Sequence, residues 1–325
     1  MWIFHNVINF LGLGGLVDLV NVQQFSLTTF ATLAGIEALI SPIAPIILVL
    51  EVGLLFWLNR RATFRISRHY KIPLMMYAAN AVIPVYLTLK FFILTFNFFS
   101  KFALFQVESR LIYFLYAFLI WEFSHFVFHY SCHKVRLLWI LHSPHHAPAQ
   151  INLSLIYTAF FLHGLYATLV RTAICAILGV PLQLLIFVLI IDGCWGTLIH
   201  ISEEIWHKGK PSGILGHIFL WPSDHRVHHA NNPQYIDKNY CNTLPVWDKL
   251  FKTLQREIPE IKPQYGLARD VDQDSFVDTY FGEILLLFKD LKNAGSVKNA
   301  LLYLLMPPGW KPKTGNLVNP SEAIS

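Results

Sequence analysis

Three histidine motifs constrain this chain more than any other feature: His129-Tyr-Ser-Cys-His133, His142-Ser-Pro-His145-His146 and His225-Arg-Val-His228-His229. Residues i and i+4 of a helix stand one above the other, so His129 and His133 can face one point. Each HxxHH groups i, i+3 and i+4 in the same way. With 15 histidines in 325 residues, one HxxHH is expected by chance ~0.03 times, and two roughly 5 times in 10,000. Scattered surface or core histidines are therefore a poor account of the pattern. Imidazole ligates iron, zinc, copper and nickel, so the fold is expected to bring these rings to a metal.

Ligand count sets the metal number. A structural zinc closes at four ligands, and a catalytic zinc uses three plus water. Eight imidazoles exceed both, so two metals sharing eight or nine rings is the simplest arrangement. A zinc-dependent membrane hydrolase, the rival of another class, would more often carry an HExxH helix with a glutamate base, and none occurs. A transporter would string its histidines along a membrane path instead of gathering them.

The rest of the chain decides where that site sits. Hydrophobic residues make up 54% and charged residues 14%, with a mean hydropathy of +0.46; a soluble domain carries about 25% charge. The expectation is an all-α, polytopic membrane helical bundle with a cytosolic histidine-rich cap. Spans are read at about Ile40–Leu58, Ile72–Phe96 and Leu111–His133. A hairpin follows, Leu153–Leu178 and Leu182–Ile199, turning at Gly179-Val180-Pro181 and possessing room for an incomplete crossing. Arg60, Arg61, Arg65, Arg68 and Lys71 place the first loop in the cytoplasm. All the histidine groups then fall on that face, in a bacterial inner membrane or endoplasmic reticulum.

The N-terminal segment has no basic stretch before its apolar run, and so reads as an interfacial or partly inserted helix and not as a cleaved signal. The net charge of +5 is spread through loops, and no nucleic-acid partner is expected. Four cysteines without CxxC spacing point away from disulfides. Three regions follow: N-terminal membrane helices over 1–110, a catalytic domain over 111–255, and an interfacial tail over 256–325 holding short amphipathic pieces at Phe281–Phe288 and Ala300–Met306.

Around the motifs, Glu122 lies two turns before His129 on the same face, placed to accept a ligand N–H. His125 is one turn before His129, as a ligand or a lining residue. Ser223 or Asp224 is suited to cap the helix that bears His225. His163, Arg171 and Asp192 fall inside the hairpin, where ionisable groups pair or line a path; Arg171 is expected to snorkel while His163 and Asp192 pair. His5, His69, His207 and His217 read as surface residues.

The set HxxxH, HxxHH, HxxHH in a membrane protein resembles the fatty acid hydroxylase/sterol desaturase superfamily, and within it the alkylglycerol monooxygenase branch. The stretch Pro222-Ser-Asp-His-Arg-Val-His-His-Ala-Asn-Asn-Pro-Gln-Tyr-Ile-Asp-Lys-Asn-Tyr240 carries that likeness, with Val246-Trp-Asp-Lys-Leu-Phe251, Tyr265-Gly-Leu and Pro307-Pro-Gly-Trp310. The resemblance implies His129, His133, His142, His145, His146, His225, His228 and His229 as ligands of two iron ions, with His200 a ninth. It also implies that Asn152, Asp237 and Asn239 orient ligand imidazoles. The chain departs from the pattern at Cys241 and Lys252, each in place of glycine, and in a short insertion at Lys208–Gly213.

The implied activity is O₂-dependent hydroxylation of a lipid C–H bond, with cleavage of glyceryl ethers as one outcome. Hydroxylation or desaturation of a sterol, fatty acyl or ornithine lipid is the alternative. Electrons would come from outside, from tetrahydrobiopterin or a small electron-transfer protein, since no flavin or nicotinamide motif is seen.

Overall fold

A computed structural model describes residues 32–58, 66–83, 85–206, 209 and 213–312. The expected interfacial helix at the N-terminus, His5, His207, and most of both the basic loop and the insertion lie outside these residues. Among the described residues every element is helical, and the one β contact is an isolated bridge between Ala230 and Tyr265.

Among the described residues four helices come first: α1 (Leu33–Ile40), α2 (Ile43–Leu58), α3 (Ile66–Asn80) and α4 (Val85–Phe99). The Thr32 hydroxyl accepts the Gly35 N–H to start α1. Two helical stretches, Leu33–Trp57 and Val85–Phe102, are long and apolar enough to cross a membrane. The single span read at 72–96 is two helices. At the end of α3 the Asn80 side chain turns away to donate to Tyr157 O (3.1 Å) and Ala159 O (2.8 Å).

The central helix α5 (Phe114–Lys134) runs 21 residues without Gly or Pro. Its Trp121, Glu122, His129, Cys132 and His133 are buried. Val135, extended at φ −123° and ψ 115°, ends α5 and begins α6 (Arg136–His146). A 3₁₀ turn over Leu153–Tyr157 precedes α7 (His163–Ile177) and α8 (Leu182–Leu198). The hairpin's outgoing leg thus starts later than the sequence pattern indicates, because 153–157 is used to build the site. At 1.5 Å per residue α7 and α8 extend only about 22 and 26 Å, short of the hydrocarbon core of about 30 Å. Gly179 makes the turn at φ +71°, and a Cβ there would strike the Phe105 carbonyl.

The remaining elements are α9 (Leu215–Ile218), α10 (Pro222–His229), α11 (Val246–Leu250), α12 (Phe276–Lys292) and α13 (Val297–Leu305). Ser275 and Ser296 cap α12 and α13 through their hydroxyls. The first amphipathic piece is therefore longer than its apolar run.

One apolar core joins α4, α5 and α8 through Leu89, Phe92, Phe118, Trp121, Leu185 and Val188. The helices α6 and α7 pack on α5, and α12 and α13 close over α6. The ends of α5, α6, α8 and α10 consequently meet in one place.

Candidate metal centre

All eight residues of α10 are buried. Pro222 fits its first turn, where an N–H would lack a helical partner, and the Asp224 carboxylate accepts the Trp221 N–H at 2.9 Å. This fixes the helix that carries His225, His228 and His229. In α6, Pro144 sits in the last turn, beside His142, His145 and His146.

Nine histidines form two groups that can each hold a metal ion. The first is His129, His133, His142, His146 and His228; the second is His145, His200, His225 and His229. Within a group, one ring nitrogen from each histidine lies within 4.8 Å of every other. The two HxxHH motifs are divided, not united as the spacing alone indicates. Each sends its i, i+4 pair to one group and its i+3 ring to the other. At 100° per residue, i+4 lies about 40° from i, whereas i+3 lies about 60° away on the opposite flank.

Hydrogen bonding fixes the state of four rings. The Nδ1 atoms of His129, His145, His200 and His228 meet the backbone carbonyls of Tyr240 (3.0 Å), Leu155 (3.0 Å), Gly196 (2.6 Å) and Lys238 (2.8 Å). A carbonyl only accepts, so each Nδ1 carries the proton and each neutral ring keeps a lone pair on Nε2. Yet His145 Nε2 and His200 Nε2 stand 3.2 Å apart, lone pair facing lone pair. The Nε2 atoms of His133 and His228 are buried without a hydrogen-bond partner. A cation shared between the rings would reconcile these contacts, and the donor set fits a metal.

Spacing agrees with this. The Nε2···Nε2 distances are 3.0 Å for His129–His142, 3.2 Å for His142–His146, 2.8 Å for His200–His225 and 3.0 Å for His225–His229. Neighbouring ligands about 2.05 Å from an ion lie about 2.9 Å apart at 90° and about 3.3 Å apart at tetrahedral angles. Burial pushes His145, His146, His225 and His229 well below the usual histidine range, and His228 down to about 4. These rings are neutral at pH 7, so no proton competes for the lone pairs.

The residues expected to orient imidazoles act through the backbone. Glu122 does not meet a ring: it accepts the backbone N–H groups of Asn242, Thr243 and Leu244 at 3.2, 2.7 and 3.1 Å. Asp237 pairs with Lys134 and accepts the Tyr240 hydroxyl at 3.0 Å. Asn239 donates to the carbonyls of Asp224 (2.8 Å) and Gln255 (2.7 Å). Both adopt positive φ, 63° and 58°, a region Asp and Asn tolerate. They flank Lys238 and precede Tyr240, the residues whose carbonyls hold His228 and His129. Asn152 caps the 153–157 turn by accepting the Ser154 N–H at 3.0 Å, and that turn supplies the Leu155 carbonyl.

Other expectations fare differently. His163 does not pair with Asp192; its Nε2 lies 3.0 Å from His142 Nδ1, ring stacked on ring. Asp192 instead accepts from Trp121 Nε1 (2.6 Å), Asn242 Nδ2 (2.7 Å) and the Thr243 hydroxyl (2.6 Å). Arg171 does not snorkel outward: its guanidinium lies 4.7 Å over the Trp121 ring. His125 belongs to neither group, and its ring centroid is 5.5 Å from that of His129. His217 is exposed.

Sequence reasoning passed over Asp248. This fully buried carboxylate accepts the N–H groups of Tyr240 and Cys241, both at 2.8 Å, and so sets the Tyr240 peptide whose carbonyl holds His129. Its place in the Val-Trp-Asp-Lys segment was the available signal.

Residues 114–253 match the model of the fatty acid hydroxylase family. Among curated proteins the chain is similar to the alkylglycerol monooxygenases of Caenorhabditis elegans (29% identity; 62% of this chain, 42% of that protein) and Homo sapiens (27%; 60% and 42%). That of Xenopus tropicalis is 28% identical, over 62% of this chain and 43% of its own length. The chain thus spans less than half the length of these relatives. No solved structure matches it.

Proposed function

We propose that the protein is a membrane-bound di-iron oxygenase that hydroxylates a C–H bond of a lipid, with a glyceryl ether lipid the favoured substrate. The observation that carries this reading is the facing of bare imidazole lone pairs in two adjoining groups, His146 of one stacking 4.4 Å on His229 of the other. The alkylglycerol monooxygenase relatives support the ether-lipid choice. An all-nitrogen pair of sites suits iron, which would supply O₂ activation and C–H oxidation.

The chain's own residues bind, shield and orient. The carbonyls of Tyr240, Lys238, Leu155 and Gly196 hold four ligand rings in the tautomer that leaves Nε2 free. A cavity of about 260 Å³, lined by Ile83, Ile156, Tyr157, Phe160 and Leu165, also touches His163, which meets ligand His142. Its apolar wall suits a hydrocarbon chain. One atom of O₂ enters the C–H bond and the other leaves as water, using two electrons and two protons from an external reductant. Tetrahydrobiopterin or a small electron-transfer protein would serve. Hydroxylation beside an ether oxygen gives a hemiacetal, which splits to an aldehyde and a free glycerol hydroxyl.

Residues 111–255 are taken as the catalytic domain of a multi-pass protein whose site faces the cytosol. The exposed apolar side chains Val49, Leu50, Phe56, Leu94 and Phe98 on α2 and α4 support lipid contact, and the arginines between α2 and α3 support the orientation. A zinc hydrolase relying on a carboxylate base would not find one in Glu122, Asp192 or Asp248, which are engaged by backbone and side-chain donors.

The test is turnover of ether, fatty acyl and sterol lipids by iron-loaded protein with a reductant, with and without O₂. Loss of all turnover under anaerobic conditions is expected. Equal anaerobic turnover of any lipid class would end the oxygenase reading.

A further inference from the structure

We propose that Glu51, in the apolar helix α2 and outside the family-matching segment, is the positioning residue for the second metal group, joining the turn whose Leu155 carbonyl holds His145 to the segment that follows His200. The inference rests on reading the two histidine groups as a di-metal centre.

Glu51 is 3% exposed. A carboxylate inside an otherwise apolar helix is costly unless its oxygens are satisfied. Three donors converge on it. Oε2 accepts the Leu153 N–H and the Tyr70 hydroxyl, each at 2.9 Å, and Oε1 accepts the Ser202 N–H at 2.8 Å. Leu153 opens the turn whose Leu155 carbonyl fixes His145. Ser202 lies two residues beyond His200, in the turn that leaves α8. One carboxylate therefore joins the turn whose Leu155 carbonyl holds His145 to the segment that follows His200.

That pair explains why an outside brace is needed. With no ion between them, His145 Nε2 and His200 Nε2 at 3.2 Å repel. The two rings come from the ends of α6 and α8, which lie far apart in sequence. Glu51 opposes their separation from behind, and so keeps the group assembled for metal entry. The residue touches neither metal nor ligand ring; it acts through Leu153 and Ser202.

The experiment is cobalt(II) titration of the full chain in lipid nanodiscs, read by metal-to-chain ratio and visible absorption. Glu51→Gln turns an NH₂ group toward one of the two backbone donors. Leu153→Pro deletes a single donor at the first position of a helical turn, where proline fits, with Asn152 before it already extended at φ −159° and ψ 169°. Tyr70→Phe removes only the hydroxyl and leaves both backbone bridges.

Wild type and Tyr70→Phe are expected to bind two ions. Glu51→Gln and Leu153→Pro are expected to bind the first normally and the second about 10–100-fold more weakly, the usual effect of losing an outer partner. Two ions bound with unchanged affinity in both Glu51→Gln and Leu153→Pro would overturn the proposal. So would equal weakening of both ions in all three variants, which is the mark of a general packing role. Fewer than two ions in the wild type would instead overturn the di-metal reading itself.

Discussion

His145 and His146 are neighbours in sequence but belong to different metal groups, and this gives a sharp prediction for single and double alanine variants. The second group has four rings, so His145→Ala leaves three. A four-ligand structural zinc is bound with about 10–16 kcal/mol, or roughly 2.5–4 kcal/mol per ligand. At about 1.4 kcal/mol per tenfold change, the second ion should bind roughly 100- to 1,000-fold more weakly. The first group has five rings. His146→Ala leaves four, still enough to enclose an ion, so its loss should be smaller. Metal-to-chain ratio at limiting free metal separates these outcomes. Pairing tests the grouping itself: His145→Ala with His225→Ala removes two rings from one group, so one ion should remain. His145→Ala with His142→Ala touches both groups and should weaken both ions. If the first double variant loses both ions while the second keeps one at full affinity, the division of each HxxHH is wrong.

Other consequences follow from the loops that hold the rings. Asp248→Asn turns an amide NH₂ toward the Tyr240 or Cys241 N–H, and each unsatisfied buried group costs about 1–3 kcal/mol. Thermal unfolding should register that loss, and the first ion should bind about 10–100-fold more weakly as the Tyr240 carbonyl shifts; lower stability with unchanged metal affinity would refute the link. Lys252 holds φ +60°, where a non-glycine residue costs about 1–2 kcal/mol, so Lys252→Gly should raise the melting temperature, despite the larger entropy glycine loses on folding. Burial raises the Asp290 carboxyl, but hydrogen bonds from Lys311 and Arg136, and their charges, outweigh it and hold it below the usual range. A depressed carboxylate contributes stability above its unfolded value of about 3.9 that fades as pH falls through the folded value. Asp290→Asn should therefore lower the melting temperature at pH 7, and the gap from wild type should close below about pH 4. Chelation of both ions should lower the wild-type melting temperature, because a ligand at 100 times its Kd adds about 2.7 kcal/mol.

The sequence makes the metal chemistry legible because ligand spacing is local: His129 and His133, or His142 and His146, are one turn apart whatever surrounds them. What holds the rings is not legible in that way. Glu122, Asp237 and Asn239 have the right chemistry to accept an imidazole N–H, but backbone N–H groups, lysine and carbonyls reach them first. The carbonyls that do hold rings, at Leu155, Gly196, Lys238 and Tyr240, belong to every residue type and leave no mark in composition. Glu51 matters through backbone contacts 102 and 151 residues away, beyond any periodic pattern, and Asp248 through contacts made across a loop. Span boundaries shifted for a related reason. Hydropathy runs through 153–157 without a break, but that stretch is bent into a turn by the Asn152 cap and the Glu51 bond, both set by tertiary neighbours.

The division of each HxxHH has a consequence for how the site can exist at all. The helix α6 gives His142 and His146 to the first group and His145 to the second; α10 gives His225 and His229 to the second and His228 to the first. Neither helix completes either group. An ion in either group would therefore need α6 and α10 side by side, at the end of α5 to which the α7–α8 hairpin returns His200. A free helix of 8 residues such as α10 is too short to be stable in water. Its order comes from burial on every side, from Asn239 bonding its Asp224 carbonyl, and from the exchange of rings with α6. Assembly of the site depends on carbonyl positions and buried carboxylates as well as on the histidines.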